Sequence, residues 1–358
     1  MAHVDNRVAV VGAGYAGMAA AVTLAEHGIP VTVLESGPVP GGRARRVVSH
    51  GHELDNGQHI FVGAYSELFR LMRTVGVPSD ALLRIPLEIR YADGFAFRAL
   101  WLPPPLGLLA GLLAARGVPL AERLGALRFI AALRDTLAGG ADASDLLLPR
   151  VDLSRLFPEP AAEFVRAHGG DMRLGTTVRD LVSLKTQFQK IIVAVGPHQL
   201  KTLLPDLAND FTYQPIYTCY LQYPENTRLD FPMVGMAEGL VQWVFDRGAL
   251  LGEKGRLACV ISAQGDHQQM TQDEVAATCD RELRSAFPAL PSPLWTRAIA
   301  EKRATISCTP GLKRPEVRTP ITGVFLAGDY TDPEYPPTLE AAVRSGIRAA
   351  ELALSSAS

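Results

Sequence analysis

Only four cysteines occur in 358 residues, Cys219, Cys259, Cys279 and Cys308, and no two of them form a CxxC pair. That spacing excludes a disulfide framework and a zinc knuckle, so no metal is expected and a reducing cytosol is the expected compartment. Charge of one sign is also missing. The net charge is −2 with no basic block, which removes the phosphate-neutralising surface that nucleic acid binding depends on. No stretch reaches the ~20 uninterrupted apolar residues of a membrane span. The opening MAHVDNRVAVVGAG enters a strand pattern without the basic and then apolar regions of a signal peptide. A second GxGxxG is absent, so no separate nicotinamide site is visible. With 47% hydrophobic and 20% charged residues the chain has ordinary globular usage, and its length suits two domains of ~100–200 residues each.

The clearest unit lies at the start. Arg7-Val8-Ala9-Val10-Val11 is a short apolar run, followed by Gly12-Ala13-Gly14-Tyr15-Ala16-Gly17 and an alanine-rich stretch to His27, with Gly28 as its C-cap. A second run, Val31-Thr32-Val33-Leu34, ends at Glu35-Ser36. Strand, GxGxxG turn, helix, strand and an acid about 20 residues on form a dinucleotide-binding βαβ unit. Gly12 permits the tight turn, Gly14 lets the backbone approach a pyrophosphate, and Gly17 lets helix and strand pack. The helix N-terminus, with Tyr15 and Ala16, offers free N–H groups and a positive dipole end. Glu35 can accept hydrogen bonds from ribose hydroxyls. Gly41-Gly42-Arg43 then places two bare amides and a guanidinium where they could meet the pyrophosphate from the other side.

From Gly41-Gly42-Arg43 onward the chain resembles the flavin amine oxidase and phytoene desaturase superfamily, whose members follow the ribose-binding acid with a GGR element. Asp55-Asn56-Gly57-Gln58-His59-Ile60-Phe61 resembles the next block of that superfamily. The resemblance implies a Rossmann-like α/β FAD-binding domain of the amine oxidase type, interleaved with an α+β substrate domain. The expected boundaries are 1–85, 151–205 and 311–358 for the FAD-binding parts, and 86–150 and 206–310 for the substrate parts. It also implies FAD contacts at Gly57, Gln58, His59, Val178, Gly328, Asp329, Thr338 and Leu339. Asp329 would hold the ribityl chain, and Val178 would touch adenine. A helix over 338–354, after Pro336-Pro337, would point its N-terminus at the flavin pyrimidine and favour the anionic reduced form.

Between these parts, Leu87 to Tyr91 and Phe95 to Phe97 alternate around Asp93-Gly94, a hairpin signal. Strands are expected at 172–178, 190–196, 216–223, 240–245, 257–262 and 295–302, and a helix at 271–287 with Val275, Cys279, Leu283 and Phe287 at four-residue spacing. The segment 99–120 is nearly uncharged and carries Trp101, three prolines and several leucines. It reads either as a buried connection or as a peripheral membrane-docking surface through which an oily substrate enters.

Three further blocks, Asp145 to Leu153, Gln242 to Gly248, and Ala300 to Thr305 with Thr309-Pro310-Gly311, resemble the hydroxysqualene dehydroxylase family of bacterial hopanoid pathways. Relatives there carry a longer helical block near Leu133-Arg134, and a second shortening is expected near 183–190. The reaction that the resemblance implies is reductive dehydroxylation of hydroxysqualene to squalene by hydride from reduced FAD, with an external electron donor as an expected partner. Candidate proton donors are His59, Tyr335 and Asp246. The alternatives are an isoprenoid or carotenoid desaturase, an amine oxidase-like enzyme, and a flavin-binding protein without turnover.

Overall fold

The computed structural model of the protein describes residues 5–98, 141–309, 311–331 and 335–356. The segment 99–120 and the neighbourhood of Leu133-Arg134 lie outside the described residues. The chain builds two principal sheets. The first is parallel, in the order Asp171–Arg173, Val31–Leu34, Asp5–Val11, Phe188–Val193, Val324–Leu326. Its strands alternate cleanly. Val8, Val10, Val31, Val33, Ile192 and Phe325 join one buried cluster, whereas Ala9, Val11, Leu34, Ile191, Val193, Val324 and Leu326 join another. Both faces are therefore covered, as a parallel sheet requires.

On the first face lie helices Tyr15–Glu26 and Leu339–Ser355. Every residue from Tyr15 to Ala25 is buried, so alanine dominates because side chains there must be small. A Cβ at Gly346 would stand 2.1 Å from the Ala16 carbonyl oxygen, which shows how closely these helices cross. Leu181–Lys185 and Pro197–Leu203 cover the second face through Leu181, Leu184 and Leu200.

The second sheet is antiparallel, in the order Met233–Gly235, Trp243–Asp246, Arg256–Ser262, Tyr213–Gln222, Trp295–Ile306. Helix Gln272–Ala286 closes one face, with Val275, Cys279 and Leu283 packed among Tyr217, Cys219 and Leu221. Its start is a capping box in which Thr271 and Glu274 satisfy each other's backbone N–H groups. Ile216, Tyr220, Phe245 and Val260 lie on the opposite face, in a cluster that also holds Leu54 and Leu146.

The expected hairpin forms as Glu88–Arg90 with Ala96–Arg98. The strand expected at 172–178 pairs only over Asp171–Arg173, because Thr176, Thr177 and Val178 leave the sheet to line a cleft, and Val324–Leu326 likewise ends before Gly328 and Asp329, which line it too. The Arg46–Ser49/His52–Asp55 hairpin, helix Ser66–Thr74 and helix Pro158–Ala167 add further elements. Among the described residues no helix is long and apolar enough to cross a membrane.

Candidate active site

A cavity of about 710 Å³ opens at the carboxyl ends of the parallel strands, the position at which such sheets bind ligands. Residues that follow the strands all line it: Gly12, Glu35, Thr176, Ala194 and Gly328. At Gly12 the backbone has φ +103° and a Cβ would stand 2.5 Å from the Ala194 carbonyl oxygen, so only glycine makes this turn. Gly14 is different. Its φ is −71°, and a Cβ there would have only the Cα of Gly42, at 3.8 Å, within contact range. Gly41 donates its N–H to the Ala13 carbonyl at 2.8 Å, which clamps the GGR element onto the GxGxxG turn. The two glycine-rich segments thus present bare backbone to one space, together with the N-terminal residues Tyr15 and Ala16 of the first helix.

Glu35 is held at the adenosine-side end. Its carboxylate accepts from Ala13 N and Gly37 N, each at 2.7 Å, leaving lone pairs for hydroxyl donors, and Ser36 and Val178 line the cavity beside it. Arg43 donates to Asp329 Oδ1 at 2.7 Å and to the Ala304 carbonyl at 2.9 Å. The positive charge opposite the glycine turn is therefore half of an ion pair, a tighter arrangement than a free guanidinium. At the opposite end Thr338 caps the last helix by accepting from Ala341 N at 3.2 Å, and both Thr338 and Leu339 line the cavity.

His59 lines the same end. Its enclosure in the wall, with the Arg43 charge adding to the effect, pushes its pKa down to about 4, so the imidazole is neutral near neutral pH. Nδ1 of His59 and the hydroxyl of Tyr330 are buried without a hydrogen-bond partner among the described residues, and both residues line the cavity. Burial holds the Tyr330 hydroxyl protonated far above its ordinary range. Bare glycines for a pyrophosphate, an acid for ribose hydroxyls, Asp329 for a polyol chain and a helix N-terminus for an electron-rich ring fit FAD along the whole cavity.

Five of the residues read from the sequence stand elsewhere. Gly17 is a packing glycine: a Cβ there would lie 1.9 Å from the Gly12 carbonyl oxygen. Gly57 serves a turn at φ +120°, and Gln58 turns to Tyr220 and Arg247. Asp246 is 1% exposed and caps the helix Arg247–Leu251, accepting from Ala249 N at 2.9 Å and Leu229 N at 2.8 Å. With both carboxylate oxygens so engaged and no share in the cavity wall, it is a structural acid. The Tyr335 ring is covered by the Arg344 guanidinium at 4.6 Å and does not reach the cavity wall. Of the three proton-donor candidates, His59 lines the cavity. Sequence reading missed Arg45, Thr176, Arg179, Tyr213, Ile216, Arg303 and Tyr330 in the wall. Gly196-Pro197, after a strand and before a helix, carried a local signal. Tyr213, Ile216 and Arg303 come from the antiparallel sheet, so nothing local marks them.

A family model described as flavin containing amine oxidoreductase matches residues 15–154 and 156–354. The chain belongs to this family. Its cofactor is FAD. Hydroxysqualene dehydroxylases from Sinorhizobium fredii and Rhodopseudomonas palustris are 28% and 27% identical, each over 98% of this chain and 99% of their own. A probable zeta-carotene desaturase from Synechococcus elongatus is 23% identical over 97% of this chain and 98% of its own. Among solved structures, a putative protoporphyrinogen oxidase from Exiguobacterium sp. 255-15 superposes with a TM-score of 0.69 at 14% identity, covering 98% of this chain and 99% of that one. The alignment to the Sinorhizobium relative runs over 419 positions against 358 residues here. At least about sixty positions of that relative therefore have no counterpart in this member of the family, whose chain is the shorter one.

Proposed function

We propose that this flavoenzyme reductively removes the hydroxyl group of hydroxysqualene to give squalene. The full-length match to hydroxysqualene dehydroxylases carries the reading. The geometry supports it in one respect: Ile60 and Ile216 line the flavin cavity and also pack against the apolar cluster on one face of the antiparallel sheet. The cofactor end of the cavity is thereby continuous with an apolar wall, as an oily isoprenoid needs.

When bound and reduced, FAD supplies hydride. The chain has the remaining tasks. The glycine turns, Glu35 and Asp329 hold the cofactor, the apolar wall excludes water and orients the substrate, and a proton must reach the departing hydroxyl so that it leaves as water. The balance is an allylic alcohol, a proton and a hydride giving an alkene chain and water. His59, neutral in the wall, would act there as a hydrogen-bonding imidazole rather than as an imidazolium acid. The proposal includes an external electron donor and entry of substrate from a membrane surface through the apolar segment 99–120.

Photoreduced holoenzyme mixed anaerobically with hydroxysqualene tests it. Flavin reoxidation with stoichiometric squalene is the expected result, and a flavin that stays reduced with no squalene formed refutes the reading. The full-length likeness to a carotene desaturase keeps a second reading in view, removal of hydride from a polyene chain. Oxidised enzyme that bleaches with a carotenoid precursor and yields a new double bond would establish it.

A further inference from the structure

Arg247 is 1% exposed, and it opens the helix Arg247–Leu251 that follows the antiparallel strand Trp243–Asp246, outside the cofactor-binding segments. Its Nη1 donates to Asp55 Oδ2 at 2.9 Å and to Gln58 Oε1 at 3.2 Å. Nε and Nη2 donate to the two oxygens of Glu253, each at 2.7 Å, and Arg256 also reaches Glu253 at 2.9 Å. Two guanidinium groups and two carboxylates thus compensate one another, Arg247 and Asp55 buried and Glu253 and Arg256 half-buried. Tyr220 completes the set: its hydroxyl donates to the Asp55 carbonyl at 2.7 Å and accepts from Gln58 Nε2 at 2.9 Å.

The bonds of Arg247 Nη1 and of the Tyr220 hydroxyl converge on the turn 55–59, which carries His59 to the cavity wall. The turn is also tied to the cofactor cradle. Asn56 donates its backbone N–H to the Arg45 carbonyl at 2.9 Å and its side-chain N–H to the Arg43 carbonyl at 3.0 Å. Asp55 Oδ1 accepts from Leu153 N at 2.9 Å. A continuous chain of contacts therefore runs from Arg247 through Asp55 and Gln58 to the GGR element and to His59.

We propose that Arg247 is a positioning residue for the flavin, setting the turn 55–59 so that His59 and the GGR backbone meet the cofactor. A buried ion pair kept for stability alone is a weak arrangement, because its desolvation offsets much of its attraction. A planar fork that binds three partners at fixed angles is well suited to holding geometry. Lysine at this position would keep the charge but not the fork.

The test uses the FAD-loaded protein and no isoprenoid, so it stands apart from the proposed reaction. In Arg247→Lys the FAD dissociation constant is expected to rise about tenfold, or ~1.4 kcal/mol. The visible circular dichroism of the bound flavin and its midpoint potential shift, while the far-ultraviolet spectrum is unchanged. Tyr220→Phe, which deletes one hydroxyl and no packing, moves the same readouts in the same direction by less. Should Arg247→Lys fail to fold, Tyr220→Phe and Gln58→Leu decide the matter alone. Folded variants with a lowered melting temperature but wild-type flavin dichroism, potential and affinity would overturn the proposal and leave Arg247 as a structural ion pair.

Discussion

Replacing Gly14 and Gly17 separately by alanine distinguishes a cofactor contact from a packing contact within a single turn. At Gly17 the new methyl would lie 1.9 Å from the Gly12 carbonyl oxygen and 3.2 Å from the Ala194 Cβ. Backbone must move to admit it, and overpacking of this kind costs about 1–3 kcal/mol or more. At Gly14 the methyl meets the Gly42 Cα at an ordinary 3.8 Å. The backbone there suits alanine, so the entropy gained from a stiffer unfolded chain, ~0.4–1 kcal/mol, roughly balances the poorer N-cap. The apoprotein of Gly14→Ala should therefore melt within a few degrees of wild type. Its FAD affinity should fall about tenfold to a hundredfold, or ~1.4–2.8 kcal/mol, because the backbone can no longer approach an anionic group closely. Thermal unfolding of both apoproteins and fluorescence titration with FAD give the two numbers. A Gly14→Ala protein that binds FAD as tightly as wild type would refute the assignment of this turn to the pyrophosphate. One that melts like Gly17→Ala would refute the distinction drawn between the two glycines.

Glu35→Gln should weaken FAD binding by ~1.5–3 kcal/mol, the worth of hydrogen bonds to a charged group, as read by equilibrium titration. Asp246→Ala should lower stability by ~2–4 kcal/mol through loss of a cap and of the partners of two N–H groups, as read by denaturant unfolding, and wild-type stability would refute its assignment as a capping acid. His59 has a folded pKa of about 4 against an ordinary 6.5. Below 6.5 the unfolded chain takes up a proton that the folded chain does not, so apoprotein stability falls as pH drops from about 6.5 towards 4. Denaturant titrations of wild type and His59→Gln across that window should show a steeper loss in wild type, at most ~3 kcal/mol, and parallel curves would contradict the placement of the imidazole.

The cofactor half was legible because its signals are local. A glycine that must adopt positive φ, a strand that alternates between two buried faces and a helix start after Pro-Pro are each fixed by neighbours in sequence. The other wall was not. Tyr213, Ile216 and Arg303 reach the cavity only through the pairing of the antiparallel sheet, and a strand position looks the same whether its side chain meets core or ligand. Asp246 and Arg247 make the point most sharply. The block Gln242 to Gly248 resembles the family, and that resemblance makes its acid, Asp246, a candidate proton donor. The acid caps a helix, while the adjacent arginine reaches the turn beside the flavin, 192 positions from its partner Asp55.

The parallel sheet is assembled from strands within 5–34, 171–193 and 324–326, and the helix Leu339–Ser355 crosses the first helix at Gly346. On a ribosome, which releases the chain from its N-terminus, the GxGxxG turn emerges early but lacks Asp329 and Thr338 until nearly the whole polypeptide is made. The cradle therefore closes late, through contacts whose loop-closure entropy is large. Until then Ile192 lacks the Leu339–Ser355 helix that packs on its strand and on Val324–Leu326. Such an order of events leaves apolar surface open on nascent chains, and it makes free FAD a ligand that traps the finished fold by mass action.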